Sequence, residues 1–177
     1  MWVKLIDFGL SWSFMVYGAT GKEKLKRMTT KAGTLFFMAP EVISMNYSNK
    51  WDIWSAGVIL YIMLWGYPPF ASEEDNETLE LIRTWDFEFD DEAWGSISEE
   101  AKDLISQIFQ SEATRLSAKK ILSHPWLKKF IDEKATSEML ESQIEKLRQF
   151  QKKTKFRKTI MSYLSWRVTD EDVEEEK

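Results

Sequence analysis

An apolar run from Ile53 to Trp65, interrupted only by the polar Ser55, constrains the fold more than any other feature of the sequence. Its 13 residues are too few to span a bilayer, which takes about 20. Gly66 follows the run and Pro68-Pro69 lies just beyond it, which predicts a helix that ends in a glycine cap and a proline block. A helix that is apolar all round is buried in a large core. We therefore expect a helix buried on all sides within one sizeable domain.

Residue types exclude several kinds of chemistry. The 177 residues include no cysteine and a single histidine, His124. Disulfide scaffolds, zinc–thiolate sites and thiol nucleophiles are excluded, and a histidine-based hydrolase triad is strongly disfavoured. Asp7 interrupts the only apolar run near the N-terminus, so no signal peptide is predicted and we expect a cytoplasmic protein without a membrane span. Carboxylates remain as the candidates for acid, base and metal chemistry.

Local patterns predict the other elements. We expect a short strand over Val3 to Ile6, a polar loop from Ser11 to Lys31, and a helix around Thr78 to Thr84. That last helix lies in the acidic stretch Glu73 to Glu92, where ten carboxylates accompany Arg83 as the only basic residue. The chain before residue 130 therefore reads as mostly helical.

Two more helices are predicted, the first of them from a capping signal. Ser98 followed by Glu99 and Glu100 is typical of an N-cap with first-turn acids. The helix that it opens places four apolar residues on one face: Leu104, Ile105, Ile108 and Phe109. A further helix is expected over Ser117 to Leu122, and His124-Pro125-Trp126 is expected to end the compact region.

Charge is strongly segregated toward the C-terminus. Residues 1–145 hold 15 basic and 23 acidic residues, residues 146–169 hold eight basic and no acidic residues, and the last eight hold six acids and one lysine. A basic block of this kind indicates a nucleic-acid or membrane-surface arm, or a segment that docks on an acidic partner. From Ala135 the chain also has the pattern of a long amphipathic helix, with an apolar stripe at Leu140, Ile144, Leu147, Phe156, Ile160, Tyr163 and Leu164.

Four motifs follow one another in a fixed order. Asp7-Phe8-Gly9 comes after the predicted strand, and Ala39-Pro40-Glu41 follows Gly33-Thr34. Asp52 to Gly57 opens the apolar helix, and Arg115 lies farther along the chain. Each motif alone is weak. Together they resemble the C-terminal lobe of a eukaryotic protein kinase from residue 2 to about residue 130.

This resemblance implies an architecture. The fold is expected to be mainly α, with a kinase C-lobe and a short β-strand before the activation segment, followed by the amphipathic helix. Residues 1–130 would form a partial kinase domain, and residues 131–177 a junction with an acidic tail.

The resemblance also implies roles at the site. Asp7, with Phe8 and Gly9, would hold Mg²⁺ on the phosphates of ATP. A carboxylate at a strand end before a glycine also suits such a ligand, because the backbone can turn sharply behind it. Thr34 corresponds to the threonine that serine/threonine kinases place beside the catalytic aspartate, so the substrate side chain is expected to be serine or threonine. Thr29 and Thr30 lie where an activating phosphate is added, unless the stretch is a plain solvated loop.

Other matched residues have structural roles in the family. Glu41 and Arg115 correspond to a buried ion pair, and Asp52 to the residue that anchors the catalytic loop. Trp54 and Gly57 correspond to packing positions. In the family, the stretch before the arginine usually carries a proline and is slightly longer, whereas here it reads Ser-Glu-Ala-Thr over residues 111–114. His124 receives no catalytic role.

The 177 residues lack a glycine-rich loop, the strand lysine, the helix glutamate and a catalytic loop. Without the base and one metal ligand, positioning and charge neutralisation are lost. We therefore expect no kinase activity from this polypeptide alone.

The sequences of two stretches, Gly66 to Phe70 and Ser96 to Ile105, resemble those of the calcium/calmodulin-dependent group of kinases. The C-terminal segment is similar to the autoinhibitory junction of calcium-dependent protein kinases, with anchors at Leu147, Phe150, Phe156, Ile160 and Leu164. No EF-hand loop is present in the sequence.

A calmodulin-like calcium sensor is therefore the expected partner of the basic helix, beside protein substrates and ATP. The remaining possibility is a solvated tail. A nucleic-acid arm is disfavoured, because the block is helical in pattern and has acidic flanks. Two functions remain open: a partial serine/threonine kinase, or a non-catalytic module that binds a calcium sensor or a kinase partner.

Overall fold

The computed structural model of the chain describes residues 4–17, 23–31, 33–90, 94–95 and 97–132, and the single positions 141, 144, 145, 148 and 152. The described part is mainly α-helical, as predicted, with one two-stranded sheet. Its helices are α1 (Pro40–Ile43), α2 (Trp51–Trp65), α3 (Asp75–Thr84), α4 (Glu99–Ile108), α5 (Ala118–Leu122) and α6 (Pro125–Asp132). Two 3₁₀ helices span Phe8–Leu10 and Leu35–Phe37.

Helix α2 confirms the prediction from the apolar run. Gly66 ends it in the left-handed conformation, with φ 97°, and donates its N–H to the Ile62 carbonyl at 2.7 Å. The expectation of burial on all sides is wrong. Asp52, Ala56 and Ile59 recur at helical spacing on one face and are exposed, since no described element packs over them.

The core lies between α2 and α4, which pack directly against each other. Helix α4 begins as predicted, because the Ser98 hydroxyl accepts a hydrogen bond from the Ala101 N–H at 3.4 Å. Its predicted apolar face is buried in full: Leu104, Ile105, Ile108 and Phe109. Aromatic rings fill the space between the helices, chiefly those of Trp54, Tyr61, Phe70, Trp94 and Phe109.

The remaining helices differ from expectation at their ends. Helix α3 begins at Asp75, three residues before the predicted start. Helix α5, predicted over Ser117 to Leu122, begins at Ala118, because Ser117 is its N-cap, with the hydroxyl accepting from the Lys120 N–H. Pro125 does not end the compact region but begins α6, since proline lacks only an N–H that a first helical turn leaves unused. His124 caps this helix, with Nδ1 accepting the Trp126 N–H at 3.3 Å.

Two predictions near the N-terminus are wrong. Lys4 to Ile6 form no strand, because no described strand lies beside them to complete a ladder. Residues 11–31 are not all loop, since β1 (Met15–Tyr17) and β2 (Glu23–Leu25) form an antiparallel hairpin in which Met15 pairs with Leu25. Each strand has only three residues, which is too short for an alternating pattern to be recognised.

The C-terminal helix falls mostly outside the described residues. The five described positions beyond residue 132 are helical, and Glu145 and Arg148 form an exposed ion pair at 3.6 Å. Ile144 is 36% exposed. The anchors predicted at Leu147, Phe150, Phe156, Ile160 and Leu164 lie outside the described residues, so the division of the chain at residue 130 stays a prediction.

Candidate functional site

Asp7 begins a sharp turn in the exposed N-terminal segment. It has φ 61°, a left-handed conformation that aspartate tolerates better than most residues, and its Oδ1 accepts the Gly9 N–H at 3.3 Å. A Cβ at Gly9 would lie 3.2 Å from that oxygen. Phe8 and Gly9 therefore turn the backbone into a 3₁₀ helix while the Asp7 carboxylate faces solvent.

The residues around Asp7 do not make a complete metal site. Mg²⁺ requires six oxygen ligands, of which proteins usually supply one or two carboxylates. Within the described ranges, no group of three histidine, aspartate or glutamate side chains could hold a metal ion. Asp7 fits one ligand position, so the other ligands of a kinase metal site would have to come from elsewhere.

The stretch that carries Thr29 and Thr30 is fastened to the loop after α1. Met28 and Tyr47 exchange two backbone hydrogen bonds, with N–O distances of 2.8 and 3.1 Å. The Tyr47 hydroxyl donates to the Thr30 carbonyl at 2.7 Å. Both threonine side chains are exposed, so their hydroxyls are accessible to a modifying enzyme.

The segment from Thr34 to α1 rests on α2. Thr34 is exposed and precedes the 3₁₀ helix Leu35–Phe37. The Ser55 hydroxyl on α2 donates to the Phe37 carbonyl at 2.8 Å, which fixes this segment to the helix. Within the described part, no hydrogen bond or ion pair joins the side chain of Asp7 or Thr34 to Glu41 or Arg115.

Arg115 and Glu41 form a buried, bidentate ion pair. The side chain of Arg115 is fully buried and that of Glu41 is 10% exposed. Arg115 Nη1 donates to Glu41 Oε1, and Nη2 donates to Oε2 at 3.0 Å. The remaining guanidinium donors reach the backbone carbonyls of Ile108, Lys50 and Gln110 at 3.1, 3.0 and 2.9 Å. A buried charge of this kind is stable because its hydrogen bonds are satisfied.

Trp54 and Gly57 bring α2 close to its neighbours. The Arg115 guanidinium lies over the Trp54 ring, 4.9 Å from its centroid, in cation–π geometry. Trp54 also stacks on Phe70 at 5.2 Å. A Cβ at Gly57 would lie 2.4 Å from Ile108 Cγ2, so the approach of α2 to α4 requires glycine. Glu41, Arg115, Trp54 and Gly57 thus belong to one packed region.

Asp52 lies on the exposed face of α2. Its side chain is more than a third exposed, yet the surrounding protein removes enough water to raise the pKa of its carboxyl. None of the described residues donates a hydrogen bond to this carboxylate. The role of Asp52 as an anchor for the catalytic loop stays a prediction from the resemblance.

Sequence reasoning missed a polar cluster beside Arg115, formed by Arg27, Asn46, Ser48, Lys50 and Glu112. Lys50 Nζ donates to the carbonyls of Glu112 and Arg115 at 2.8 and 2.9 Å. Arg27 and Glu112 are 85 positions apart and form an ion pair at 2.6 Å. No spacing rule links residues so distant, and the one signal in the sequence was that residues 111–114 lack the proline that this stretch usually carries in the resembled family.

Glu112 is held in its charged form. Burial opposes ionisation, but hydrogen bonds from Arg27 and Ser48 outweigh it, so the pKa of the Glu112 carboxyl lies below its usual value.

A cavity of about 300 Å³ lies beside this carboxylate. It is lined by Pro40, Glu41, Ser44, Arg83, Trp85, Ser111 and Glu112.

His124 is buried at the start of α6. Its Nδ1 accepts the Trp126 N–H, which leaves Nε2 to donate to Asp103 Oδ2 at 3.1 Å. These contacts join α6 to α4 and use both ring nitrogens in the fold.

The described part contains no helix with both the length and the apolar character needed to cross a bilayer.

Known proteins resemble this chain over most of its length. A family profile described as "Protein kinase domain" matches residues 1–127. Calcium-dependent protein kinase 22 of Oryza sativa subsp. japonica is 38% identical over 173 residues, which cover 97% of this chain and 28% of that protein. Calcium-dependent protein kinase 4 of Plasmodium falciparum is 36% identical over 176 residues, 97% of this chain and 32% of that protein.

Calcium-dependent protein kinase 3 of Plasmodium berghei is 43% identical over 128 residues, which cover 72% of this chain and 22% of that protein. The chain therefore spans less than a third of the length of these relatives.

Proposed function

Because this chain belongs to the protein kinase family, we propose that it forms the helical lobe of a serine/threonine kinase of the calcium-dependent type. The observation that carries the proposal is the buried pair of Arg115 and Glu41, which fastens the Ala-Pro-Glu end of the segment that starts at Asp7. In protein kinases this segment is the activation segment, and it carries the regulatory phosphosite. The complete enzyme would transfer the terminal phosphoryl group of ATP to serine or threonine of protein substrates.

In a complete kinase domain, Asp7 would hold Mg²⁺ against the nucleotide, and Phe8 and Gly9 would form the turn that presents it. The bound ion would neutralise charge on the phosphates. The solvent-facing carboxylate of Asp7 supports this assignment. Thr34 is exposed and is proposed to lie beside the substrate, and the exposed Thr29 and Thr30 are the proposed sites of an activating phosphate.

The 177 residues by themselves are proposed to be inactive. They contain no glycine-rich loop, strand lysine or catalytic-loop aspartate, and these groups provide most of the positioning in phosphoryl transfer. Among the described residues the exposed carboxylate of Asp52 has no hydrogen-bond partner, which supports this proposal, because its proposed role is to anchor a catalytic loop. A cytoplasmic location stays a prediction from the sequence.

A chimaera tests the proposal. The region of a calcium-dependent relative that precedes its Asp-Phe-Gly motif is fused to this chain, and phosphate transfer to serine and tyrosine peptides is measured. We expect transfer to serine, none from the chain alone, and a loss of at least a hundredfold in the Asp7→Asn variant, since charge stabilisation is the main source of rate.

Asp86→Asn, which removes an exposed carboxylate elsewhere, is the matched control and should retain activity. A folded chimaera that transfers no phosphate, or an Asp7→Asn variant with full activity, would contradict the proposal.

Regulation by a calcium sensor is proposed for the C-terminal segment. Its eight basic residues and the apolar anchors Leu147, Phe150, Phe156, Ile160 and Leu164 have the chemistry of a calmodulin target. The acidic stretch over residues 73–92 offers a competing surface within the chain, which would allow an electrostatic switch. Calorimetry of a 140–168 peptide with calcium-loaded calmodulin should show micromolar or tighter binding. A peptide with Phe156→Ala and Ile160→Ala should bind more weakly, and no binding by the parent peptide would exclude the switch.

The alternative function is a non-catalytic module that binds a calcium sensor or a kinase partner. The observation that favours it is the exposed apolar segment at the N-terminus, where Leu5 is 86% and Ile6 83% exposed. Two results together would favour this alternative: the 140–168 peptide binds calcium-loaded calmodulin, and the chimaera folds but transfers no phosphate.

A further inference from the structure

Glu112 occupies the loop between α4 and α5, in a stretch that usually carries a proline in the resembled family. A proline there could make no side-chain hydrogen bond. The carboxylate of Glu112 instead contacts two other segments of the chain. Its Oε2 accepts from Arg27 Nη2 at 2.6 Å, and its Oε1 accepts from the Ser48 N–H at 2.8 Å.

Arg27 completes a closed set of contacts. Its Nε donates to Asn46 Oδ1 and its Nη2 also donates to the Asn46 carbonyl. Asn46 and Ser48 flank Tyr47, whose backbone pairs with Met28. The loop that carries Glu112 is itself held by Lys50 Nζ, which donates to the Glu112 carbonyl at 2.8 Å.

We propose that Glu112 is a positioning residue that holds the threonine-bearing stretch, residues 27–30, in place through Arg27. The ion pair connects this stretch to the loop between α4 and α5, beside the backbone pairing of Met28 with Tyr47 and the hydrogen bond from the Tyr47 hydroxyl to the Thr30 carbonyl. It thereby couples the segment proposed to be phosphorylated to the loop that carries Arg115.

The strength of the ion pair between Arg27 and Glu112 depends on how far solvent reaches the two side chains. Arg27 is 46% and Glu112 20% exposed, so water and salt screen this pair only in part. The exposed pair of Arg83 with Glu80 has 51% and 65% exposure and lies within one helix. It provides a control of similar chemistry that joins no separate segments.

Hydrogen exchange of the 177-residue chain tests the proposal without any kinase assay. The Met28 and Tyr47 amides donate the two backbone hydrogen bonds beside the ion pair, so their exchange reports local opening. We expect about tenfold faster exchange at both amides in Glu112→Gln and in Arg27→Gln, because each loses a charged hydrogen bond. The double variant should show no further increase, and Glu80→Gln no change.

Core amides separate positioning from general destabilisation. Exchange at Val58 and Ile105, which are fully buried, should stay within about twofold of the parent chain. Arg27→Lys keeps the charge but loses the planar guanidinium that bonds Asn46 and Glu112 at once. Its Met28 and Tyr47 amides should therefore exchange more slowly than in Arg27→Gln but faster than in the parent chain. High salt should speed Met28 exchange in the parent chain and leave Glu112→Gln unaffected.

Equal acceleration at the core amides, or unchanged exchange at Met28 and Tyr47, would overturn the proposal. The proposal rests on the proposed function only in naming residues 27–30 as part of an activation segment. An inactive chimaera would leave the exchange result intact, and unchanged exchange would leave the proposed kinase function intact.

Discussion

The guanidinium of Arg115 and the carboxylate of Glu41, 74 positions apart, meet in a two-pronged ion pair from which solvent is almost excluded. The pair joins the start of α1 to the loop after α4 and lies against the face of Trp54. Its position makes the end of the proposed activation segment part of the hydrophobic core.

Glu41→Gln should strongly destabilise the chain. The amide keeps the size of the side chain but leaves the Arg115 charge buried without its counter-ion, at a cost of about 3–5 kcal/mol. Urea unfolding followed by tryptophan fluorescence measures the loss. Glu80→Gln, in an exposed pair, should change the free energy of unfolding by less than about 0.5 kcal/mol. Similar losses in the free energy of unfolding for the two variants would show that the buried pair stabilises the fold no more than the exposed one.

Gly57→Ala should separate α2 from α4. The added Cβ would lie 2.4 Å from Ile108 Cγ2, and relieving the clash is expected to cost about 1–3 kcal/mol despite the better helix propensity of alanine. Thermal unfolding measures the effect. Ala56→Ser on the exposed face of the same helix should cost about 0.5 kcal/mol. A Gly57→Ala variant as stable as the parent chain would mean that the helices can shift at no cost.

Asp52→Asn should separate stability from function. The pKa of Asp52 is raised by burial, so the folded state binds its proton more tightly and the charged form at pH 7 slightly opposes folding. The free energy of unfolding of this chain should change by no more than roughly 0.5 kcal/mol, toward greater stability. In the chimaera, the same change should lower phosphate transfer. A marked loss of stability in the chain alone would reveal a partner for Asp52 within it.

Stability should fall in strong base through Tyr61. Burial raises its pKa to about 12 although Trp94 acts in the opposite direction, and its hydroxyl donates to the Glu88 carbonyl at 2.7 Å. Between pH 10 and 12 the unfolded chain has lost this proton and the folded chain retains it. About 2–3 kcal/mol of stability is therefore present below pH 10 and lost as the pH approaches 12.

Urea unfolding at several pH values checks the prediction against Tyr61→Phe, whose stability should depend less steeply on pH in this range. The difference between the two curves isolates Tyr61 from lysines that titrate in the same range. Parallel curves would contradict the assignment.

Local signals predicted most of the helical fold. The apolar run with Gly66 after it, and Ser98 with its first-turn acids, located α2 and α4 because capping and periodicity act within a few residues. The same reasoning failed at Lys4 to Ile6 and in the β1–β2 hairpin. A strand depends on a partner that local sequence does not contain, and strands of three residues carry too little pattern.

The sequence by itself determined the order of the motifs, the helical class of the protein and its kinase family, since these depend on residue types at fixed spacing. Only the tertiary structure decided which side chains meet. It paired Arg27 with Glu112, placed Arg115 over Trp54 and left one face of α2 exposed. Such contacts join residues many positions apart, and their strength depends on burial and on the hydrogen bonds around them, which no local pattern encodes.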